Sequence, residues 1–209
     1  MPSTRRSFLA ACTAGISSLA GCITFNQPTA KGTWPRRTLD NAHTGHSTIE
    51  GPTKDLHTVW RKDRPEDGVS PVVDDGTIYF AYAKATRSDE PTSVWVEAFE
   101  AATGNSLWKT ELYRTDDFHY FFHSESMVLD GDHLFVQTAP GLTMLNTDGE
   151  VQWTFDNLFD GQQIPDIVTP IVTDDVVVTG TYDSNNEEHQ DEIVYGIDPE
   201  TGKERWRTT

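Results

Sequence analysis

Few residues in this sequence are spaced for chemistry. His119 and His123 stand four apart behind Asp116 and Asp117. On a helix two such imidazoles could share a metal, with the carboxylates as oxygen ligands. The intervening Tyr120-Phe121-Phe122 reads as strand or loop, which makes an aromatic loop rim the simpler reading. The acidic run Asp183-Ser184-Asn185-Asn186-Glu187-Glu188-His189-Gln190-Asp191-Glu192 is dense enough in oxygen for Ca²⁺. It lacks the glycine at the sixth position and the bidentate glutamate at the twelfth that a calcium loop needs, so it reads as a solvated hairpin insertion. His43 and His46 belong to an entry segment, where bonding to turns is the default. There is no Gly-x-Ser-x-Gly, no phosphate-binding Gly-rich loop and no His-Glu-x-x-His, and nothing local selects a Ser/His/Asp triad. No catalytic, metal-binding or cofactor-binding residue is therefore expected.

The one reactive group with a definite context is the thiol of Cys22. Arg5-Arg6 followed by Phe8 and Leu9, then a mildly apolar stretch to Ala20, resembles a twin-arginine export signal. Ala10 stands where such signals usually carry Lys. Leu19-Ala20-Gly21-Cys22 resembles a lipobox, in which a thiolate is alkylated by diacylglycerol and the signal is cut just before it. The stretch from Phe8 to Ala20 is too short to span a bilayer as a helix. Residues 1–21 thus read as a lipoprotein signal peptide and 22–33 as a tether. The expected location is the outer face of the cell membrane, held through lipid on Cys22. At roughly 0.8 kcal/mol per buried CH₂, two acyl chains suffice as an anchor.

An anchor is required because the charge is wrong for headgroups. The formal net charge is −17, and residues 22–209 alone carry −19. Such a surface repels anionic lipid and does not neutralise phosphates, which excludes nucleic acid as a partner. Six Lys against ten Arg, with abundant Asp, is a balance similar to that of proteins from salt-loving archaea. Cys12 and Cys22 are the only cysteines, so packing and not disulfides must hold the fold.

The elements around these residues repeat. Trp60, Trp108, Trp153 and Trp206 recur at intervals of 48, 45 and 53 residues. EAATGNSLW (100–108) aligns with DPETGKERW (198–206), and NTDGEVQW (146–153) is the same text one residue shorter. Upstream, SPVVDDGTIYF (70–80), SMVLDGDHLFV (126–136) and TPIVTDDVVV (169–178) align as well. In the first unit Val72-Val73 is a short strand and Asp74-Asp75-Gly76 a tight turn. Ile78, Phe80 and Tyr82 alternate along the next strand, and Val94, Val96 and Ala98 along a third. Gly104 turns the chain into a fourth strand carrying Trp108. Four short antiparallel strands per unit of about 45 residues is a propeller blade.

Ser/Thr-Pro-x-Val, then Asp-Gly, then Asp-x-x-Thr-Gly-x-x-x-Trp resembles the pyrroloquinoline-quinone-like (PQQ-like) β-propeller repeat family. Trp34-Pro35 followed by Leu39-Asp40-Asn41-Ala42-His43-Thr44-Gly45-His46 is similar to the opening of its archaeal, twin-arginine-exported lipoprotein members. The resemblance covers residues 34–209 and implies an all-β fold with blades over about 69–109, 125–155 and 168–207. It implies that Trp60, Trp108, Trp153 and Trp206, with Gly104, Gly149 and Gly202 in the turns, pack blade against blade. Asp148-Gly149 departs from the Thr-Gly pattern in the second repeat.

Three blades and an orphan strand around Leu56–Lys62 make an incomplete ring. The expectation is that the chain is a truncated or split product, or that another protein or further blades complete it. The resemblance also raises a quinone with Ca²⁺ on the axis. With no Cys after Cys22 and too few blades to enclose an axial site, no cofactor is expected. The expected role is a non-catalytic, membrane-held binding or scaffold module, with loops at 83–92, 114–124, 156–166 and 183–192 as contact surfaces. The alternative is a fragment of a quinone- or calcium-dependent oxidoreductase.

Overall fold

A computed structural model describes residues 32–36, 57–63, 67–84, 91–115, 126–138, 140–156, 158, 166–167, 169–182 and 193–208. The export signal and Cys22, the histidines at 43, 46, 119 and 123, and the acidic run 183–192 lie outside the described residues. Every regular element among those described is a strand. No described helix is long and apolar enough to cross a membrane.

The strands form three antiparallel sheets. The first holds β1 (Asp67–Gly68), β2 (Val72–Asp74), β3 (Thr77–Lys84), β4 (Thr92–Glu100) and β5 (Ser106–Thr115). The second holds β6 (Met127–Asp130), β7 (His133–Gln137), β8 (Leu142–Asn146) and β9 (Val151–Phe155). The third holds β10 (Asp166–Ile167), β11 (Ile171–Val172), β12 (Val177–Tyr182), β13 (Val194–Ile197) and β14 (Glu204–Thr208). β1 and β2 both pair with β3, and β10 and β11 both pair with β12. Each couple is one strand interrupted ahead of Pro71 or Pro170, since proline brings no N–H to the ladder. All three sheets are therefore four-stranded and open, which is the expected blade. Strand β3 runs on to Lys84, β5 reaches Thr115 and β10 begins at Asp166, so the loops expected at 83–92, 114–124 and 156–166 are shorter than the sequence suggested.

Alternation fixes what each sheet buries. Tyr79, Ala81, Val96 and Ala98 point from the first sheet onto Leu134, Val136 and Leu145 of the second, in one apolar cluster. Phe135, Leu142, Met144 and Phe155 point from the second onto Val177, Tyr195 and Ile197 of the third, in another. Each sheet thus has a face that gives onto its successor and a face that receives its predecessor. A buried polar bridge crosses the second boundary: Thr179 Oγ1 donates to Gln137 Oε1, and Gln137 Nε2 donates to Gly180 O at 3.2 Å. Both side chains are buried, so mutual hydrogen bonding removes the cost of desolvating them.

A strap ties the first strands together. Trp34 and Val73 exchange both backbone hydrogen bonds, at 2.7 and 2.9 Å, which covers the open edge of β2. Leu129 N on β6 then donates to Pro35 O at 2.8 Å. Arg36, also buried, donates from Nη2 to Pro170 O at 2.8 Å, just before β11. Residues 34–36 therefore touch all three sheets in turn.

Sheet order is enforced at the turns before the fourth strands, where the glycines are left-handed. Gly149 has φ +87° and Gly131, in another turn, φ +53°. A Cβ at Gly149 would stand 2.5 Å from Trp108 Cδ2, whereas one at Gly131 meets nothing within 4 Å. Both alanine substitutions carry backbone strain of about 1–2 kcal/mol. Gly149→Ala should destabilise the protein by about 1–3 kcal/mol more than Gly131→Ala in urea denaturation, because it alone displaces an indole. Equal losses would show that the glycine serves the turn only.

Candidate functional site

The residues singled out for blade packing come together as three copies of one joint. The indole of Trp60 lies on Gly104, that of Trp108 on Gly149 and that of Trp153 on Gly202. At each glycine a Cβ would come within 2.6 Å of the indole Cδ2. Each ring N–H also bonds the same turn. Trp60 Nε1 donates to Ala101 O at 2.8 Å, Trp108 Nε1 to Thr147 O at 2.8 Å and Trp153 Nε1 to Pro199 O at 2.9 Å. A buried indole needs both a flat apolar seat and a partner for its N–H, and a glycine turn with an inward carbonyl provides the two at once. The departure at Asp148-Gly149 is a turn one residue shorter that keeps the bond.

Two local devices aim the indole. Every sheet carries a bulge in the fourth strand just before the tryptophan, with register shifts at Ala98/Phe99, Met144/Leu145 and Gly196/Ile197. The extra residues are Leu107, Gln152 and Arg205, all exposed. A bulge bends and twists its strand, and here it re-aims the tryptophan. The sequence reading missed it; the only trace is an identical number of residues between glycine and Trp. The second device braces the turn. Asn146 Oδ1 accepts from Glu150 N, and Asp198 Oδ1 accepts from Thr201 N and Thr201 Oγ1. Arg205 adds two bonds to Asp198 Oδ2, at 3.0 and 2.7 Å. These Arg205 bonds, and then those from Thr201, lower the Asp198 pKa to about 2. The carboxylate therefore holds the turn throughout the physiological pH range.

Trp206 is placed differently from the other three. It pairs across the sheet with Gly196, as Trp108 pairs with Ala98 and Trp153 with Met144. Its indole lies over Gly196 of its own sheet and is 43% exposed, against 9% for Trp153. Val194 on the same face of the third sheet is also exposed, and no described sheet covers that face.

At the other end, the receiving face of the first sheet opens into a cavity of about 460 Å³. Ile78, Phe80, Tyr82 and Phe99 line it beneath Trp60, with Lys62, Asp63 and Glu97 around them. Tyr82 and Phe80 stack with centroids 5.9 Å apart, and Phe80 lies against Gly68. Tyr82 Oη donates to Glu97 Oε2 at 3.1 Å and Ser106 Oγ donates to Glu97 Oε1 at 2.7 Å. Burial first, then the Glu97 charge, pushes the Tyr82 hydroxyl well above the usual phenol range, so it stays a donor. Lys62 Nζ stands 4.3 Å from the Phe99 ring centre. The segment expected as an orphan strand at 56–62 forms no regular strand in its described part, 57–62.

Among the described residues, no three of His, Cys, Asp or Glu gather as metal ligands. Where the first strands meet, the structure offers the backbone of 32–36, one guanidinium and apolar side chains.

Repeated four-stranded blades joined by seated tryptophans define a β-propeller repeat protein. A family model described as outer membrane protein assembly factor BamB matches residues 53–209, and the chain belongs to that family. No curated protein matches it. Among solved structures it is similar to the quinohemoprotein alcohol dehydrogenase of Comamonas testosteroni, with TM-score 0.62 and 21% identity over 84% of this chain and 27% of that one. It is also similar to the quinohemoprotein alcohol dehydrogenase ADHIIG of Pseudomonas putida HK5, with TM-score 0.60 and 21% identity over 84% and 26%. A europium-containing methanol dehydrogenase gives TM-score 0.60 and 15% identity over 85% and 32%. The chain thus spans about a quarter to a third of these structures, and at such identity the likeness shows the fold.

Removing a seated tryptophan leaves a cavity between sheets, whereas removing the exposed one does not. Trp153→Ala should cost about 3–5 kcal/mol of stability, and Trp206→Ala less than about 1 kcal/mol, both read by urea denaturation. Comparable losses at the two positions would mean that Trp206 is buried after all.

Proposed function

We propose that this protein is a non-catalytic scaffold, held at the outer face of the cell membrane by lipid on Cys22, that binds another protein through its open blade faces. The observation that carries this reading is Trp206, a residue of the same type and register as two seated indoles, presented to solvent. An exposed tryptophan in an apolar face is the usual core of a binding hot spot. Arg5-Arg6, Phe8-Leu9 and Leu19-Ala20-Gly21-Cys22 support export by the twin-arginine route and lipidation. The strongly acidic surface supports solubility in salt and leaves the lipid as the means of attachment.

A second reading is a piece of an oxidoreductase, favoured by the three similar structures named above, which are dehydrogenases. The rule that one fold hosts many functions speaks against carrying that chemistry over. A quinone absorbance or stoichiometric Ca²⁺ in the purified protein would favour it over the scaffold.

Fractionation of the source cells tests the scaffold. The wild-type protein should sediment with membranes and, in mild detergent, run in a complex larger than itself. Cys22→Ser should move it to the soluble fraction. Trp206→Ala should leave it membrane-bound but return it to monomer mass. Membrane retention of Cys22→Ser would overturn the anchor, and a wild-type protein that runs alone would overturn the scaffold.

A further inference from the structure

The strap enters the fold at one end of the sheets. Gly32 O accepts from Asp75 N at 3.2 Å, and Thr33 Oγ1 donates to Asp74 Oδ1 at 2.8 Å. Both contacts are made at the turn between β2 and β3. Trp34 then pairs with Val73, and Arg36 bonds Pro170 O ahead of β11. The strap thus climbs from the β2–β3 turn toward the starts of the first strands. The chain that precedes Gly32 therefore sets out from the turn.

That end is common to all three sheets. Ala101 N donates to Gly76 O at 2.8 Å and Thr147 N to Asp132 O at 3.0 Å, which ties together the two turns of the first sheet and of the second. Between sheets, Trp108 bonds Thr147 O and Trp153 bonds Pro199 O, which holds turn beside turn. The turns are acidic: Asp75, Asp132, Asp148, Glu150, Asp174 and Glu200 are all exposed there. At the opposite end lie Lys84, which closes β3, and Asp156, which follows β9.

We propose that the protein stands on the membrane with this acidic turn end toward the lipid and the opposite end toward the aqueous phase. The inference rests on the lipid anchor of the scaffold reading, and it leaves the far end and the blade faces to a partner outside the bilayer. Gly32 is ten residues beyond Cys22. Whatever their conformation, these residues reach at most about 35 Å. Strand β3, with 8 residues, is about 26 Å from end to end. To lay the far end on the lipid, the tether would have to run back along that whole length, which takes most of its reach at full stretch. With the turn end down it needs none of it.

Charge does not reverse this direction. Carboxylates are repelled by anionic headgroups, which holds the turn end off the surface. The covalent tether still decides which end is near, and in about 1 M salt the repulsion is screened within about 3 Å.

The test uses the full lipidated chain in vesicles of phosphatidylglycerol and phosphatidylcholine. No cysteine follows Cys22, whose sulfur carries the lipid, so Asp132→Cys and Lys84→Cys each present a single thiol for a fluorescent donor. Both side chains are exposed, so neither variant disturbs the packing. With an acceptor dye on the headgroups, energy transfer from position 132 should exceed that from position 84 several-fold, in low and high salt alike. Equal transfer from the two positions, or more from position 84, in a chain lipidated at Cys22 would overturn the orientation and leave the anchor standing. A Cys22 peptide that carries no diacylglycerol would overturn both.

Discussion

An indole seated on a left-handed glycine is the joint on which this structure depends. Sheets that pack only through aliphatic faces can slide, because the hydrophobic effect has no direction. The seat supplies direction. It admits a flat ring only where a Cβ is missing, and its carbonyl accepts the ring N–H from one side. A bulge ahead of each tryptophan aims the ring, and the bonded turn holds the seat still. Repetition of this joint turns three local hairpin stacks into an ordered array.

An array built this way has two unlike ends. Every sheet receives on one face and gives on the other, so among the described residues one receiving face and one giving face have no sheet over them. Trp34–Arg36 stiffens the array along the first strands but covers neither end. Trp60 is seated at the receiving end and Trp206 marks the giving end. This polarity links fold to the proposed role. The surfaces offered to a partner are ones that the protein's own blades already recognise in each other.

Much of this was legible in the sequence because the joint uses rare residues at fixed spacing. The tryptophan period and the glycines at 104, 149 and 202 announced the blades, and the Ile78, Phe80 and Tyr82 alternation announced a face. Other features left little trace. The bulges at Leu107, Gln152 and Arg205 are a matter of pairing, and any exposed side chain serves there. Arg36 bonds a carbonyl 134 residues away, and no local pattern encodes a partner at that distance. The bridge between Gln137 and Thr179 is hidden for the same reason. The cavity over Ile78 and Phe80 left no trace either, because alternation marks a face without saying which neighbour covers it. The shorter turn at Asp148-Gly149, a departure on paper, keeps the joint because the carbonyl and the glycine both survive the deletion.

The most direct measurement is hydrogen exchange of the indole N–H groups by NMR on the purified full chain. If seated indoles hold the blades in order, the N–H signals of Trp60, Trp108 and Trp153 exchange slowly, and that of Trp206 exchanges at the rate of an exposed indole. Fast exchange at Trp108 and Trp153, or protection of Trp206 equal to theirs, would contradict the account.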